Sequence, residues 1–209
     1  MIVETLVVGP LGCNCTILGC PDTREAVVVD PGGDEDAILE LLDEHRLTLK
    51  AILHTHAHFD HLLATGALKT ARGGEILLHE GDRPLYDNVP MQGQFFRMAV
   101  SAPPPVDRYV RDGERLHWGH GQGDILHTPG HTPGSVCLHV GSEKLVLTGD
   151  TLFAGGIGRT DLWGGSFPEI MTSIHTRLLT LDDRTTVIPG HGPATTIGDE
   201  REANPFLQG

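Results

Sequence analysis

The chain has 209 residues, of which 39% are hydrophobic and 21% are charged, a balance that suits one globular domain with a substantial core. Its formal net charge is −13 and no cluster of lysine and arginine stands out, which argues against binding to nucleic acid or to anionic membranes. A small anionic substrate stays possible, because a metal ion or one arginine can reverse the local field inside a cleft.

The N-terminal half predicts short strands that alternate with helices. β-Branched and apolar runs bounded by turn residues predict strands at residues 2–8, 16–18, 26–30, 51–53 and 75–79. A helix is expected over residues 34–47, where apolar side chains recur at helical spacing and acidic residues occupy the first turn. A second helix is expected after His61, running through Leu68.

The C-terminal half predicts more strands and one helix. Residues 80–107 have no clear period and contain several prolines, so we expect an irregular segment, either functional or a packed surface excursion. Strands are predicted at residues 124–127, 136–140, 144–147 and 185–188. Ser166 and Glu169 form a capping box ahead of a helix whose apolar positions continue to Leu181. Two central sheets with helices outside would bury these faces in one α/β domain over residues 1–209.

The location of the protein is predicted from two absences in the sequence. No segment approaches the roughly 18 consecutive apolar residues that a membrane helix needs. Residues 1–5 show no basic region followed by an apolar stretch, so we expect no signal peptide and a cytoplasmic location. The four cysteines are then expected to be reduced, and Cys13-x-Cys15 to be a pair of buried or unused thiols rather than a metal site.

A dense cluster of metal-ligand residues, His56-x-His58-x-Asp60-His61, follows the predicted strand at residues 51–53. In an extended segment, residues two apart project to one side, so His56 and His58 can bind one ion together. Asp60 and His61 stand where the next helix begins and can face a second ion nearby. Imidazole and carboxylate are ligands that divalent ions such as zinc accept, and the cluster therefore predicts a metal site.

Three isolated residues strengthen this prediction, since each follows a predicted strand. His131 lies in a turn rich in proline and glycine, Asp150 follows Thr148-Gly149, and His191 follows Pro189-Gly190. The carboxyl ends of strands are where layered α/β folds place their ligands. We expect all three side chains to meet the first cluster.

This set of residues resembles the metallo-β-lactamase superfamily, and the resemblance covers nearly the whole chain. It implies an αββα sandwich of two mixed sheets with helices on both outer faces. Asp30, in Asp30-Pro31-Gly32, matches the family's early strand end and is expected to support the site from behind the ligands.

The resemblance also implies how the ligands divide between two divalent ions. The first ion would be held by His56, His58 and His131, the second by Asp60, His61 and His191, and Asp150 would bridge them. Zinc is the expected metal, with iron or manganese as alternatives for the same donors. Two cations about 3.5–4 Å apart can lower the pKa of a bridging water to around 7, so the expected nucleophile is hydroxide. Asp60 is also the expected acceptor of a proton from that water.

Within the superfamily, the stretch around Gly158-Arg159-Thr160-Asp161 and the ending after His191 resemble the glyoxalase II branch, the hydroxyacylglutathione hydrolases, in their short bacterial form. The implied reaction is hydrolysis of a small-molecule thioester, S-lactoylglutathione or a related hydroxyacyl thioester. Arg159 stands where this branch carries a basic residue near the glutathione. Its alternative role is an ion pair with Asp161. Two departures from this branch leave the thiol open. The C-terminal helical extension, whose basic residues clamp glutathione in longer enzymes, is not seen here, and Gly192-Pro193 stands where a tyrosine often follows the last metal histidine.

Two other activities remain open on the same fold. One is a persulfide dioxygenase, an oxidoreductase with a single iron, whose relatives share the Gly-Arg-Thr-Asp stretch. The other is a lactonase. A β-lactamase would require export and a nuclease would require a basic groove, and the sequence predicts neither. The oligomeric state is not predicted.

Overall fold

Two six-stranded sheets lie face to face in the computed structural model, which describes residues 1–208. The first sheet contains, in spatial and chain order, β1 (Ile2–Val8), β2 (Cys13–Gly19), β3 (Glu25–Val29), β4 (Thr48–Leu53), β5 (Glu75–His79) and β6 (Arg108–Val110). Strands β1 to β3 are antiparallel neighbours, whereas β3 to β6 run parallel. The parallel half directs several strand ends toward one edge of the molecule.

The second sheet is built from the later strands. They are β7 (Arg115–Trp118), β8 (Gly121–His127), β9 (Val136–Val140), β10 (Leu145–Gly149), a small separate ribbon of β11 (Leu152–Phe153) and β12 (Gly156–Ile157), then β13 (Thr186–Pro189) and β14 (Thr195–Thr196). The spatial order is β14-β13-β10-β9-β8-β7, and only β10 and β13 pair in parallel. The ends of β10 and β13 therefore lie side by side.

Helices cover the outer faces of both sheets. They are α1 (Glu35–Glu44), α2 (Thr65–Arg72), α3 (Arg83–Tyr86), α4 (Val89–Phe95), α5 (Phe167–Ser173) and α6 (Ile197–Ala203), with a π-helical turn at Ile174–Leu178 after α5. Ser166 caps α5 by accepting a hydrogen bond from the backbone N–H of Glu169, whereas the N–H of Ser166 donates to the carbonyl of Gly130, so only the N-cap half of the predicted capping box forms. None of the helices in this range is long and apolar enough to cross a bilayer.

The hydrophobic core has three layers. The central layer lies between the sheets and includes Leu53 from the first sheet together with Trp118 and Leu138 from the second. One outer layer packs α1 and α2 on the first sheet, and the other packs α5 and α6 on the second. Each sheet buries both faces in this arrangement. The αββα sandwich expected from the sequence is confirmed.

The expectation of an irregular segment at residues 80–107 is wrong in part, because the structure forms α3 and α4 there. Pro84 and Pro90 each stand in the first turn of a helix, where the missing N–H breaks no hydrogen bond. The two helices are short, so their apolar positions never repeat often enough to produce a visible period.

Candidate metal centre

The carboxyl ends of four strands meet at one edge of the sandwich and carry all seven predicted ligands. The segment after β4 supplies His56, His58, Asp60 and His61, and the loops after β8, β10 and β13 supply His131, Asp150 and His191. A hydrogen bond from the backbone N–H of Val136 to the carbonyl of Thr55, 2.8 Å long, joins the two sheets at this edge. The two sheets thus contribute to one pocket.

The first group consists of His56, His58 and His131, and one ring nitrogen from each lies within 4.8 Å of the other two. The Nδ1 atom of His58 is 2.9 Å from Nε2 of His131. The side chains of all three are buried. Burial, followed by the approach of His131, lowers the pKa of the His58 imidazole to about 3, so the ring is neutral at pH 7. Neutral imidazole is the form that binds a metal.

The second group consists of Asp60, His61 and His191, again within 4.8 Å of one another. The Nε2 atoms of His61 and His191 are 3.2 Å apart, and Nε2 of His191 is 3.2 Å from Oδ2 of Asp60. Burial raises the pKa of Asp60, but the neighbouring imidazoles, His61 first, outweigh it and hold the pKa well below its usual range. Asp60 is therefore ionised at neutral pH, the form in which a carboxylate binds a cation.

Asp150 lies between the two groups. Its Oδ1 is 3.6 Å from Nε2 of His61, and its Oδ2 is 3.6 Å from Nε2 of His131. Oδ1 is buried and finds no hydrogen-bond partner among the described residues. A buried carboxylate oxygen without a donor is costly unless a cation faces it. One carboxylate thus faces both groups.

Asp30, which we expect to support the site from behind the ligands, contacts His61 and Thr55. Its Oδ2 is 3.1 Å from Nδ1 of His61 and accepts a hydrogen bond of 2.6 Å from the hydroxyl of Thr55. The hydroxyl oxygen of Thr55 in turn lies 3.1 Å from Nδ1 of His56. Because the Thr55 proton is given to Asp30, that oxygen can accept from His56, and one carboxylate orients two histidines. The backbone of Asp30 adopts a left-handed φ of 51°, a strained conformation found at functional sites.

In several of these histidines, the nitrogen that faces away from the pocket makes a hydrogen bond, and that bond shows which nitrogen carries the proton. Nδ1 of His131 is 2.8 Å from the carbonyl of Arg159, and Nδ1 of His191 is 3.1 Å from the carbonyl of Gly12. A carbonyl can only accept, so Nδ1 carries the proton, and in the neutral ring Nε2 presents a lone pair to the pocket. His56 and His61 follow the same pattern through Thr55 and Asp30.

These residues fit divalent cations, because several acceptors converge where no donor faces them. Nε2 of His56 and Oδ1 of Asp150 are buried without a hydrogen-bond partner in residues 1–208. Burial alone would lower the pKa of His61, yet Cys13 and the carboxylates of Asp150, Asp30 and Asp60 hold it well above its usual range. A positive charge is thus favoured at this point, and a metal ion competes with the proton for it.

A pocket of about 140 Å³ opens onto this centre and has an apolar mouth. Its lining comprises Leu11, His58, Phe59, Asp60, Phe96, His131, Asp150, Arg159 and Leu162. At the rim, the exposed rings of Phe95 and Trp163 stand edge to face with centroids 5.3 Å apart, which links α4 to the loop before α5. The segment at residues 80–107 therefore contributes to the wall of the site.

Arg159 lies at this mouth, and its guanidinium pairs with Asp161. Nε of Arg159 is 2.7 Å from Oδ1 of Asp161, and a terminal nitrogen is 2.8 Å from Oδ2. The Arg159 side chain is 54% exposed. The arginine thus both forms the alternative ion pair and lines the pocket.

Sequence reasoning missed three residues that hold the ligand loops. They are Thr55, Asp82 and Gln92, all buried and polar. Thr55 immediately precedes the histidine cluster. Asp82 follows β5 much as Asp30 follows β3, a signal that the sequence carried. Gln92 lies in the segment of residues 80–107, which shows no hydrophobic period, and nothing in the sequence marks it as a buried residue.

Comparison with known proteins identifies the family. The chain matches the model of the metallo-beta-lactamase superfamily over residues 8–191. It is 39% identical to hydroxyacylglutathione hydrolase GloC of Haemophilus influenzae, over 99% of this chain and 98% of that protein. The structure of BLEG-1 B3 metallo-beta-lactamase superposes with a TM-score of 0.93 at 38% identity over 100% of both chains. That of TTHA1623 in a di-iron-bound form gives 0.90 at 39% identity, over 98% of this chain and 100% of the other. The protein therefore belongs to the metallo-β-lactamase superfamily, as its ligand pattern predicted.

Proposed function

We propose that this protein is a thioester hydrolase of the hydroxyacylglutathione hydrolase type, with S-lactoylglutathione as its most direct substrate. The observation that carries the proposal is the carboxylate of Asp150, which faces both ligand groups in one pocket. The 39% identity with a hydroxyacylglutathione hydrolase over nearly the full length of both chains supports the substrate class. The four cysteines are free and buried, which suits the reducing cytoplasm that we propose as the location.

The proposed reaction divides the work among residues of this pocket. Two divalent cations, which we propose to be zinc with iron or manganese as alternatives, would supply Lewis acidity for a water and for the substrate carbonyl. Asp60 Oδ2, ionised at neutral pH, accepts a proton from the attacking water. A carbon–oxygen bond forms, the carbon–sulfur bond breaks, and the thiolate leaves toward the apolar mouth and takes up a proton. The products are a hydroxy acid and a free thiol.

Metal analysis and substrate assays on the purified protein test this proposal together. We expect close to two divalent ions per chain, hydrolysis of S-lactoylglutathione, and loss of activity on chelation that returns with zinc. Oxygen uptake on glutathione persulfide with one iron per chain would replace the hydrolase by the persulfide dioxygenase. Faster turnover of a lactone, or of a chromogenic cephalosporin as the similarity to BLEG-1 allows, would reassign the substrate.

Replacing Arg159 tests how the thiol half is held. We expect Arg159→Ala to raise KM for S-lactoylglutathione roughly three- to tenfold with kcat little changed, because an exposed arginine adds modestly to binding. Asp161→Asn is the matched variant, since it releases the same arginine and is expected to leave KM unchanged or lower it. Steady-state kinetics with a glutathione thioester and an uncharged thioester make the comparison. A large fall in kcat without a change in KM would contradict this role.

A further inference from the structure

A buried carboxylate outside the ligand set joins two ligand loops. The side chain of Asp82 is inaccessible to solvent and follows β5 in the 3-10 turn Glu80–Asp82. Its Oδ2 accepts hydrogen bonds from the N–H of Ala57 and from the hydroxyl of Thr132, both 2.8 Å long, and its Oδ1 accepts one of 2.6 Å from the N–H of Gly134. Ala57 stands between His56 and His58 in the chain, while Thr132 follows His131.

The amide of Gln92 holds the same loop from another direction. Its Nε2 donates to the carbonyl of Ala57 at 2.9 Å, and its Oε1 accepts from the N–H of Phe59 at 3.1 Å. Its second amide hydrogen is given to the carbonyl of Leu85 at 2.8 Å. Together with Asp82, Gln92 fixes both polar groups of Ala57 and the N–H of Phe59, the peptides on either side of His58.

The loops also approach too closely for any larger residue at Gly134. A Cβ built on Gly134 would lie 2.7 Å from both Cβ and Cγ of Asp82. Asp82 thus lies between the two loops, whose His58 Nδ1 and His131 Nε2 atoms are 2.9 Å apart. Within residues 1–208 no lysine or arginine pairs with this carboxylate, and its three partners are neutral donors.

We propose that Asp82, backed by Gln92, is a positioning residue that sets the geometry of the first ligand group, His56, His58 and His131. This inference rests on the proposed metal centre and adds a residue to it. The carboxylate touches no ligand ring through a hydrogen bond; it acts through the backbone of Ala57 and the loop after His131. The effect should therefore appear first in the affinity of the first ion.

Zinc titration of metal-free protein against a chromogenic chelator tests the proposal. Asp82→Asn keeps the size of the side chain but points an NH₂ group at a donor, and we expect one of the two zinc ions to bind about 10- to 100-fold more weakly. The ion held by Asp60, His61 and His191 is expected to stay within a few-fold of its normal affinity. Asp107→Asn is the matched control, because Asp107 also accepts a backbone N–H, from Ile76, but supports no ligand.

Thr132→Val provides a milder change that removes one donor from Asp82, and we expect a smaller loss at the same ion. Thermal unfolding of the metal-free variants separates the proposal from a general structural role. A folded Asp82→Asn protein that binds both ions normally, whatever its melting temperature, would overturn the proposal. If Asp82→Asn does not fold, normal affinity in Thr132→Val would do the same. A wild-type protein that binds no zinc would instead refute the proposed function.

Discussion

Asp60→Asn is expected to lower kcat for thioester hydrolysis by about 10²- to 10⁴-fold, the range for loss of a positioned proton acceptor. The Oδ2 atom of Asp60 lies 3.2 Å from Nε2 of His191 and lines the pocket, so it is within reach of a water held there. The neighbouring imidazoles keep its pKa well below the usual range despite burial. The carboxylate is thus ionised at neutral pH and has an unprotonated oxygen for the proton of a bound water, which a neutral amide lacks.

A second substitution separates the two roles of Asp60. Asparagine retains an oxygen that can bind a cation, whereas Asp60→Ala removes the ligand altogether. We expect Asp60→Ala to lose most of the second ion as well as turnover, and Asp60→Asn to lose turnover while keeping more of the metal. Asp87→Asn, at an exposed position paired with Arg83, serves as the control with the same chemical change. Near-normal kcat in Asp60→Asn would remove Asp60 from the proton transfer and leave it as a ligand only.

The seven candidate ligands could be found from the sequence because their positions follow local rules. Each of them lies in a segment that follows a predicted strand, and the carboxyl ends of strands in a layered α/β fold meet at one edge. His56 and His58 alternate in an extended stretch, which is visible without any knowledge of the fold. The N-cap at Ser166 is likewise local, since its donor, the N–H of Glu169, is three positions away.

The contacts by which Asp82 and Gln92 hold the ligand loops could not be predicted, because they join distant parts of the chain. Asp82 bonds Ala57 across 25 residues and Gly134 across 52. Gln92 reaches Ala57 across 35 residues from a helix too short to show a period. A buried polar side chain looks like a surface residue in the sequence until its partners are known. The strands β6 and β14 were missed for a related reason, since two or three residues carry no alternation.

Gly190 offers a test in which no ligand and no charge is replaced. It precedes His191 and passes so close to the centre that an added Cβ would lie 2.2 Å from Oδ1 of Asp150 and 2.8 Å from Cε1 of His61. Real Cβ atoms do not occupy such positions, so the Asp150 carboxylate must move. Gly190 does not have a positive φ, so its backbone conformation suits alanine. The only strain in Gly190→Ala therefore comes from the contacts of the added Cβ.

We expect Gly190→Ala to reduce kcat by about 10²-fold or more and to lower the metal content, since a displacement of about 1 Å at a reacting centre has effects of that size. Gly156→Ala is the matched control: its Cβ would meet only the Cβ of Phe153, at 3.8 Å, an ordinary contact. Steady-state kinetics, metal analysis and the melting temperature of both metal-free variants give the comparison. Full activity with two ions in a folded Gly190→Ala protein would mean that Asp150 need not stand between the two ligand groups, and the bridging role assigned to it would be wrong.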